Sequence, residues 1–216
     1  MGDRLSSPMQ ARGPRRERRD REWHRGITRP TVVAAALRIL DAEGREALTM
    51  RRLAADLGVE APSIYAHVRD KDELVDRVLD SVLDGVTAPE LRPDARSALI
   101  EGFEAYRRSL LAHPSIVLLM TERARTTAAQ LRLAGRAIEL LESAGLSTRQ
   151  AVDAQITLVA FVLGFVLQEV SRPTTMAPGT AIDAVIQRAF TTLAARDVDD
   201  RYRVGLSTIL DGAGVP

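Results

Sequence analysis

The 216-residue chain has a net charge of +1 and 45% hydrophobic residues, which is enough apolar material for one large or two small domains with a core. It contains no cysteine, which excludes a disulfide framework, thiolate metal sites and cysteine nucleophiles, and suits a cytoplasmic protein. The longest candidate for a membrane span, residues 156–167, is a dozen residues interrupted by Thr157. Because about 20 apolar residues are needed to cross a bilayer, the sequence predicts a soluble protein that does not enter membranes.

Residues 1–29 are predicted to form a disordered basic arm. Eight arginines fall between Arg12 and Arg29 among a few acidic residues, with too little apolar surface to offset the entropy lost on ordering. Two interpretations stay open. The arm either contacts DNA phosphates or the minor groove beside the main site, or it is a solvated tail.

A first helix is predicted to begin at Pro30, because proline is well tolerated in the first turn, and to end at Gly44. Two short helices joined by a tight turn are then predicted between Thr49 and Lys71. Gly58 supplies the turn, and Ile64 directs the second helix back onto the first. This spacing is typical of a helix-turn-helix unit. The residues left facing outward form the predicted reading face: Ala61, Pro62, Ser63, Tyr65, Ala66 and His67.

Asp70 and Glu73 resemble a capping box that opens a fourth helix, which should end at Gly85. Beyond a proline-containing loop at 87–93, helical patterns continue to the C-terminus, without strand alternation, internal repeats or a glycine-rich phosphate loop. One of these helices should begin with a capping box at Ser147 and Gln150. Since it is apolar on every side between residues 158 and 167, it should be covered all round and contribute to a dimer interface.

The segment from Thr28 to Leu79, and above all LGVEAPSIYAHVRDKDELVD, resembles the DNA-binding domain of the tetracycline-repressor (TetR) family. HPSIVLLM and AGLSTRQAVDAQITLVAFVLGFVLQEV are similar to the C-terminal region of the subgroup that contains the tetracycline repressor itself. The resemblance implies an all-α fold in two parts. An N-terminal three-helix DNA-binding domain, residues 30–76, would be linked by a fourth helix to a helical effector-binding and dimerisation domain, residues 77–216.

The resemblance also implies which residues contact DNA: Thr49, Arg51, Ala61, Pro62, Ser63, Tyr65, His67 and Lys71. His67 and Lys71 would bind backbone phosphate, the Ser63 hydroxyl can donate to a base or a phosphate, and the Tyr65 hydroxyl can reach a phosphate. Arg51 is preferred to Arg52 because only Arg51 matches the motif position. Ala61 and Ala66 depart from residues common in the family, so the resemblance does not name the operator.

The metal-bound tetracycline site of the subgroup is not supported, because residues 116–126 contain no histidine and Gln168, with Glu169 adjacent, stands where an acid is expected. No metal ligand and no cofactor are therefore predicted, and the effector is expected to be a different molecule. His113, before Pro114, is interpreted as a helix-end residue. The candidate residues for lining an effector pocket are Phe103, Tyr106, Leu119, Met120, Phe161 and Phe165, with Gln155 as a polar anchor.

The leading interpretation is a homodimeric repressor that a small-molecule effector releases from a palindromic operator in double-stranded DNA. One alternative is a helical DNA-binding or interaction module without an effector. The other is an all-helical enzyme, which is disfavoured by the presence of only three histidines and by the lack of an H-E-x-x-H motif or a nucleophile elbow.

Overall fold

The computed structural model describes residues 27–122, 125–171 and 182–216, and within these ranges the chain is helical and contains no strand. The prediction of an all-α fold is confirmed. The helices of these ranges are α1 Arg29–Glu43, α2 Met50–Asp56, α3 Ala61–Tyr65, α4 Lys71–Asp84, α5 Ala95–Ala112, α6 Pro114–Glu122, α7 Ala128–Ser143, α8 Thr148–Val170, α9 Ala184–Ala194 and α10 Val198–Ala213, with a short 3-10 turn at Arg45–Ala47. Residues 1–26 of the predicted arm lie outside the described residues.

Helix α1 begins at Arg29, one residue earlier than predicted. The Thr28 side chain caps the helix by accepting a hydrogen bond from the Thr31 amide, and Pro30 occupies the first turn, where its missing N–H costs nothing. Arg29 was assigned to the arm, but its side-chain Nε donates to the carbonyl of His67 at 3.0 Å. Arg29 is therefore part of the folded head.

Helices α1, α2 and α3 pack together into what we call the reading head, residues 27–70. Leu53 from α2 and Ile64 from α3 are fully buried between them. Gly58 joins α2 to α3 with a φ of +68°, a left-handed conformation that costs other residues free energy. The helix-turn-helix thus rests on two buried side chains and one glycine.

Helix α4 connects the reading head to the remaining helices, which we call the body, residues 86–216. It packs against α1 at one end and against α5 and α7 of the body. The Asp70 side chain caps it by accepting from the Glu73 amide at 2.7 Å. Glu73 reaches back to the Arg69 amide, one residue before the position that a capping box uses.

Helix α8 is the central helix of the body and packs against α5, α6, α7 and α10. Leu158, Val162 and Val166 on this helix are fully buried, whereas Ile156 is 59% exposed. Within one chain α8 is therefore covered on part of its circumference only. By length and composition α8 could cross a membrane, with a mean hydropathy of 1.8 over 18 residues. The apolar stretch predicted from the sequence, residues 156–167, was therefore too short. A core helix of a soluble protein passes the same test.

Two helices leave large apolar residues exposed. On α7 Leu131 is 62% exposed, and the buried face is formed by Ala137, Leu140 and Leu141. Every residue of α9 is exposed, including Val185 and Phe190. The apolar side of α9 covers nothing in the described part of the chain.

Candidate functional site

The reading helix α3 is only five residues long, and its orientation depends on buried Ile64. The side chains around this anchor differ in exposure, and Ala61 packs partly against the core. Tyr65 is 51% exposed, Pro62 and Ala66 are exposed, and Ala61, Ser63 and His67 are half-buried. The residues predicted to face DNA thus form the accessible side of the head.

Arg51 and Arg52 have different surroundings in α2. Arg52 donates to the Glu43 carboxylate at 2.6 Å and contacts Asp56 at 3.5 Å, and the hydrogen bond from Glu43 raises the pKa of Arg52. Arg51 is exposed and makes no ion pair or hydrogen bond with any residue that the structure describes. Arg51 is therefore the guanidinium of this pair that is available to a phosphate.

Thr49 caps α2 by accepting a hydrogen bond from the Arg52 amide at 3.0 Å, which leaves its own hydroxyl proton available to a phosphate. At the other end of the reading helix, Lys71 is exposed in the first turn of α4 and has no partner among the described residues. His67, which lies between Thr49 and Lys71 in the sequence, accepts a hydrogen bond from Arg29 at its backbone carbonyl. The predicted contact residues are thus held by caps and hydrogen bonds that leave polar groups accessible.

Glu73, in the first turn of α4, stabilises the start of this helix through hydrogen bonds to two arginines. Its carboxylate accepts hydrogen bonds from the Arg69 amide at 2.8 Å and from the side chains of Arg69 and Arg77 at 2.7 to 3.0 Å. These bonds, the Arg69 amide first among them, lower the pKa of Glu73 from 4.5 to about 2. The carboxylate is ionised at neutral pH and holds the junction between reading head and α4.

The body contains an apolar cavity of about 250 Å³ between α4, α5, α6, α7 and α8. Four of the seven predicted pocket residues line it: Phe103, Tyr106, Met120 and Gln155. The other three, Leu119, Phe161 and Phe165, lie outside this cavity. Leu119 is buried in the core instead.

Phe161 and Phe165 belong to an aromatic cluster that packs α8 against α10. Their rings lie 5.6 and 5.2 Å from that of Tyr202, and the Arg107 guanidinium sits 4.7 Å from the Tyr202 ring centroid. Arg107 is only 7% exposed. Its side chain donates to Glu169 at 2.6 and 2.7 Å and to Asp199 at 2.7 Å, and these bonds hold the pKa of Asp199 below its usual value.

The position of Arg107 in the sequence is a readable signal for this ion pair. An arginine one turn after Phe103 lies on the buried stripe of α5, and a buried guanidinium needs acidic partners. Glu169 is one of them, so the acid beside Gln168 is bound to arginine, while Gln168 itself is exposed. Among the described residues no cluster of three or more histidine or acidic side chains could hold a metal ion.

Most of the cavity wall was also missed. Its remaining lining residues are Leu83, Val86, Pro89, Leu99, Gly102, Thr126, Gln130, Leu133, Ala134, Ala137 and Val159. Gly102, a glycine inside a helix, was a readable signal, because a Cβ there would lie 2.9 Å from the Pro89 side chain. Because Gly102 has no Cβ, the loop that contains Pro89 can pack closely against α5.

A polar contact joins the reading head to the body. Asp41, at the end of α1, accepts a hydrogen bond from Ser115 at 3.0 Å and lies 2.8 Å from Nδ1 of His113. His113 is the residue that ends α5, and Ser115 is in the first turn of α6, whose Met120 lines the cavity. The head and the cavity are thus linked through α6 as well as through α4.

Comparison with known proteins gives matches to both halves of the chain. A family model described as "Bacterial regulatory proteins, tetR family" matches residues 32–78, and one described as "Tetracyclin repressor-like, C-terminal domain" matches residues 88–215. The tetracycline repressor protein class A from transposon 1721 of Escherichia coli is 31% identical over 191 residues, which cover 84% of this chain and 88% of the relative.

Two solved structures are similar over nearly the whole chain. Apo ActR from Streptomyces coelicolor has a TM-score of 0.72 at 33% identity and covers 87% of this chain and 94% of its own. BioQ from Mycobacterium smegmatis has a TM-score of 0.70 at 29% identity and covers 87% and 97%. ActR has also been solved in complex with actinorhodin, and BioQ with its natural double-stranded DNA operator.

Proposed function

The chain belongs to the tetracycline-repressor (TetR) family of DNA-binding transcriptional regulators, and we propose that it is a homodimeric repressor which leaves a palindromic operator when a small molecule fills its cavity. It is a regulator and not an enzyme. Members of the family are soluble DNA-binding proteins, and we place this one in the cytoplasm.

The observation that carries the proposal is the course of α4. Its first turn follows the reading helix directly, and Leu83 in its last turn lines the cavity. Fourteen residues of α-helix at about 1.5 Å each span about 20 Å, so one rigid element reaches from the effector to the DNA-reading head. The complexes of ActR with actinorhodin and of BioQ with operator DNA support the two ends of this pathway.

Release then follows from geometry. Two recognition helices must lie roughly 34–36 Å apart to read successive turns of one DNA face. A ligand that binds more tightly when α4 is displaced favours a different spacing and weakens operator binding by that difference in affinity. A ligand with equal affinity for both arrangements would have no effect.

The two-fold symmetry of such an operator requires a dimer, and exposed apolar surface on α8 and α10 supports one. Ile156 and Ala160 are exposed one turn apart on α8, and Val204 is 45% exposed on α10. The hydroxyls of Thr157 and Thr208 donate to backbone carbonyls four residues earlier, so their polar groups do not interrupt this surface. Paired with a second copy, the two helices would form a four-helix interface.

Selection of bound sequences from a random DNA pool tests the DNA-binding half of the proposal. We expect a pseudo-palindrome with half-sites about one helical turn apart. Tyr65→Phe and Lys71→Ala should each weaken binding to every selected sequence to a similar extent, because both side chains are assigned to phosphates. Enrichment of unrelated sequences without two-fold symmetry would contradict the proposal.

A further inference from the structure

We propose that the effector is an uncharged, largely apolar molecule of two or three rings that carries a carbonyl or hydroxyl group and meets Gln155 and Tyr106 inside the cavity. The inference rests on the proposed function, since it names the class of ligand for the same cavity. It follows from the charge, the polar groups and the size of that cavity.

The cavity offers no counter-ion. None of its lining residues within the described part of the chain is acidic, basic or histidine. An ion that enters such a space loses part of its water and gains no oppositely charged partner, so charged ligands are disfavoured relative to neutral ones of the same shape.

Two arginines that lie next to the wall in sequence are already paired. Arg107, beside Tyr106, is held by Glu169 and Asp199. Arg132, beside Leu133, donates to Asp84 at 3.0 Å and to the Leu83 carbonyl. Turning either guanidinium inward would break these bonds, so neither arginine readily supplies a positive charge to the cavity.

Two polar groups of the wall have hydrogen-bonding capacity to spare. The Gln155 amide makes no hydrogen bond to any described residue, and the Tyr106 hydroxyl has only the sulfur of Met120 at 3.8 Å. Burial raises the pKa of Tyr106, which keeps its hydroxyl protonated. An amide and a phenol can together donate to and accept from one carbonyl or hydroxyl group. Gln130, by contrast, uses its side-chain oxygen to cap α7.

The volume limits the size of the ligand. A cavity of about 150 Å³ lined by aliphatic and aromatic side chains binds benzene. The present cavity of about 250 Å³ is larger by more than half, which suits two or three rings.

Two fluorescent dyes that differ by one sulfonate group test the charge. N-phenylnaphthylamine is neutral, and anilinonaphthalene sulfonate is its anionic counterpart. We expect the full-length protein to bind one neutral dye per chain and the sulfonate at least about a hundredfold more weakly, because an unpaired ion must be desolvated. Ala134→Phe, which fills the cavity, should abolish binding of the neutral dye, whereas Leu131→Phe on the exposed side of the same helix should preserve it.

A neutral naphthalene dye that carries a ketone tests the polar anchors. Gln155→Met and Tyr106→Phe should weaken its binding about tenfold and affect N-phenylnaphthylamine less, because the ketone can accept hydrogen bonds from both side chains whereas the amine N–H can donate only one. Equal binding of the sulfonate, or equal effects of these variants on both neutral dyes, would overturn the inference.

The operator separates this inference from the proposed function. Affinity for the selected operator is measured with and without a saturating cavity-bound dye. A neutral dye that fills the cavity but leaves operator affinity unchanged supports the ligand class and shows that filling the cavity alone does not release the operator. A sulfonate dye that binds in the cavity and releases the operator supports release and contradicts the ligand class.

Discussion

At the scale of single residues, Arg51 and Arg52 show that neighbouring cations can serve different purposes. Arg52 is paired with Glu43 and Asp56, whereas Arg51 has no partner among the described residues. Arg51→Ala should weaken binding to all DNA sequences and lower the salt dependence of log affinity by about one, with an unchanged urea midpoint. Salt titrations by fluorescence anisotropy measure the slope.

Arg52→Ala is the matched control for that experiment. It should lower the urea midpoint, because it removes the ion pair with Glu43 that joins α2 to α1 and the pair with Asp56 within α2. It should leave the salt slope near that of the wild type. If Arg52→Ala reduced the slope and Arg51→Ala did not, the assignment of the two arginines would be reversed.

The lowered pKa of Glu73 predicts how the stability of the fold depends on pH. Its folded-state pKa of about 2 lies below its ordinary value of 4.5, so its stabilising contribution is complete above about pH 4.5 and is lost as the pH falls towards 2. Glu73→Gln should therefore unfold at lower urea than the wild type at pH 7, and the difference should shrink below pH 4.5.

Glu90→Gln, in the exposed loop after α4, is the control for this pH dependence. It should match the wild type at each pH, because no hydrogen bond of the described structure uses the Glu90 carboxylate. A gap between wild type and Glu73→Gln that stays constant from pH 7 to pH 3 would show that the carboxylate is not held as described.

At the scale of helices, the close approach of α8 and α10 depends on Gly205. A Cβ at this position would collide with the ring of Phe161, which stacks on Tyr202. Gly205→Ala should lower the free energy of unfolding by about 1–3 kcal/mol, the usual cost of overpacking. Gly135→Ala on α7, where nothing lies within 4 Å, should instead raise it by up to about 1 kcal/mol through helix propensity. Urea denaturation of the two variants compares them, and equal effects would argue against close packing at Gly205.

The helices differ in how well the sequence predicted them, and the difference follows from where their stability lies. The Ser147 and Gln150 capping box forms as predicted, because both partners lie within one turn. The exposure of Leu131 on α7 could not be predicted, since a helical pattern of leucine and alanine fits several rotations and only packing selects one. For the same reason Phe161 and Phe165 could not be separated from the cavity residues on sequence alone.

At the scale of the whole molecule, the head was more predictable than the body. The helix-turn-helix depends on a short stretch of local spacing around Gly58. The cavity instead brings together residues from Leu83 to Val159, and the ion pairs of Arg107 join α5 to α8 and α10. Such contacts between distant segments leave little trace in the sequence of any one helix.

The dimer is the prediction that concerns the whole molecule. The sequence points to residues of the apolar run such as Phe165 and Val166, but Val166 is fully buried within one chain and Phe165 contacts Tyr202, so changes there would test folding. Exposed Ile156 on α8 and Val204 on α10 are the informative positions. Ile156→Asp or Val204→Asp should give soluble, folded monomers, because a carboxylate in an apolar interface loses its water without gaining a partner.

Leu131→Asp provides the control, since Leu131 is as exposed as Ile156 but lies on α7, away from the proposed interface. Sedimentation equilibrium at micromolar concentration should find dimers for the wild type and for Leu131→Asp, and monomers for the other two variants. The monomers should also lose most of their affinity for the full operator while keeping weak binding to a half-site, because each reading head remains intact. A monomeric wild type, or an Ile156→Asp variant that stays dimeric and binds the operator normally, would show that α8 and α10 do not form the interface.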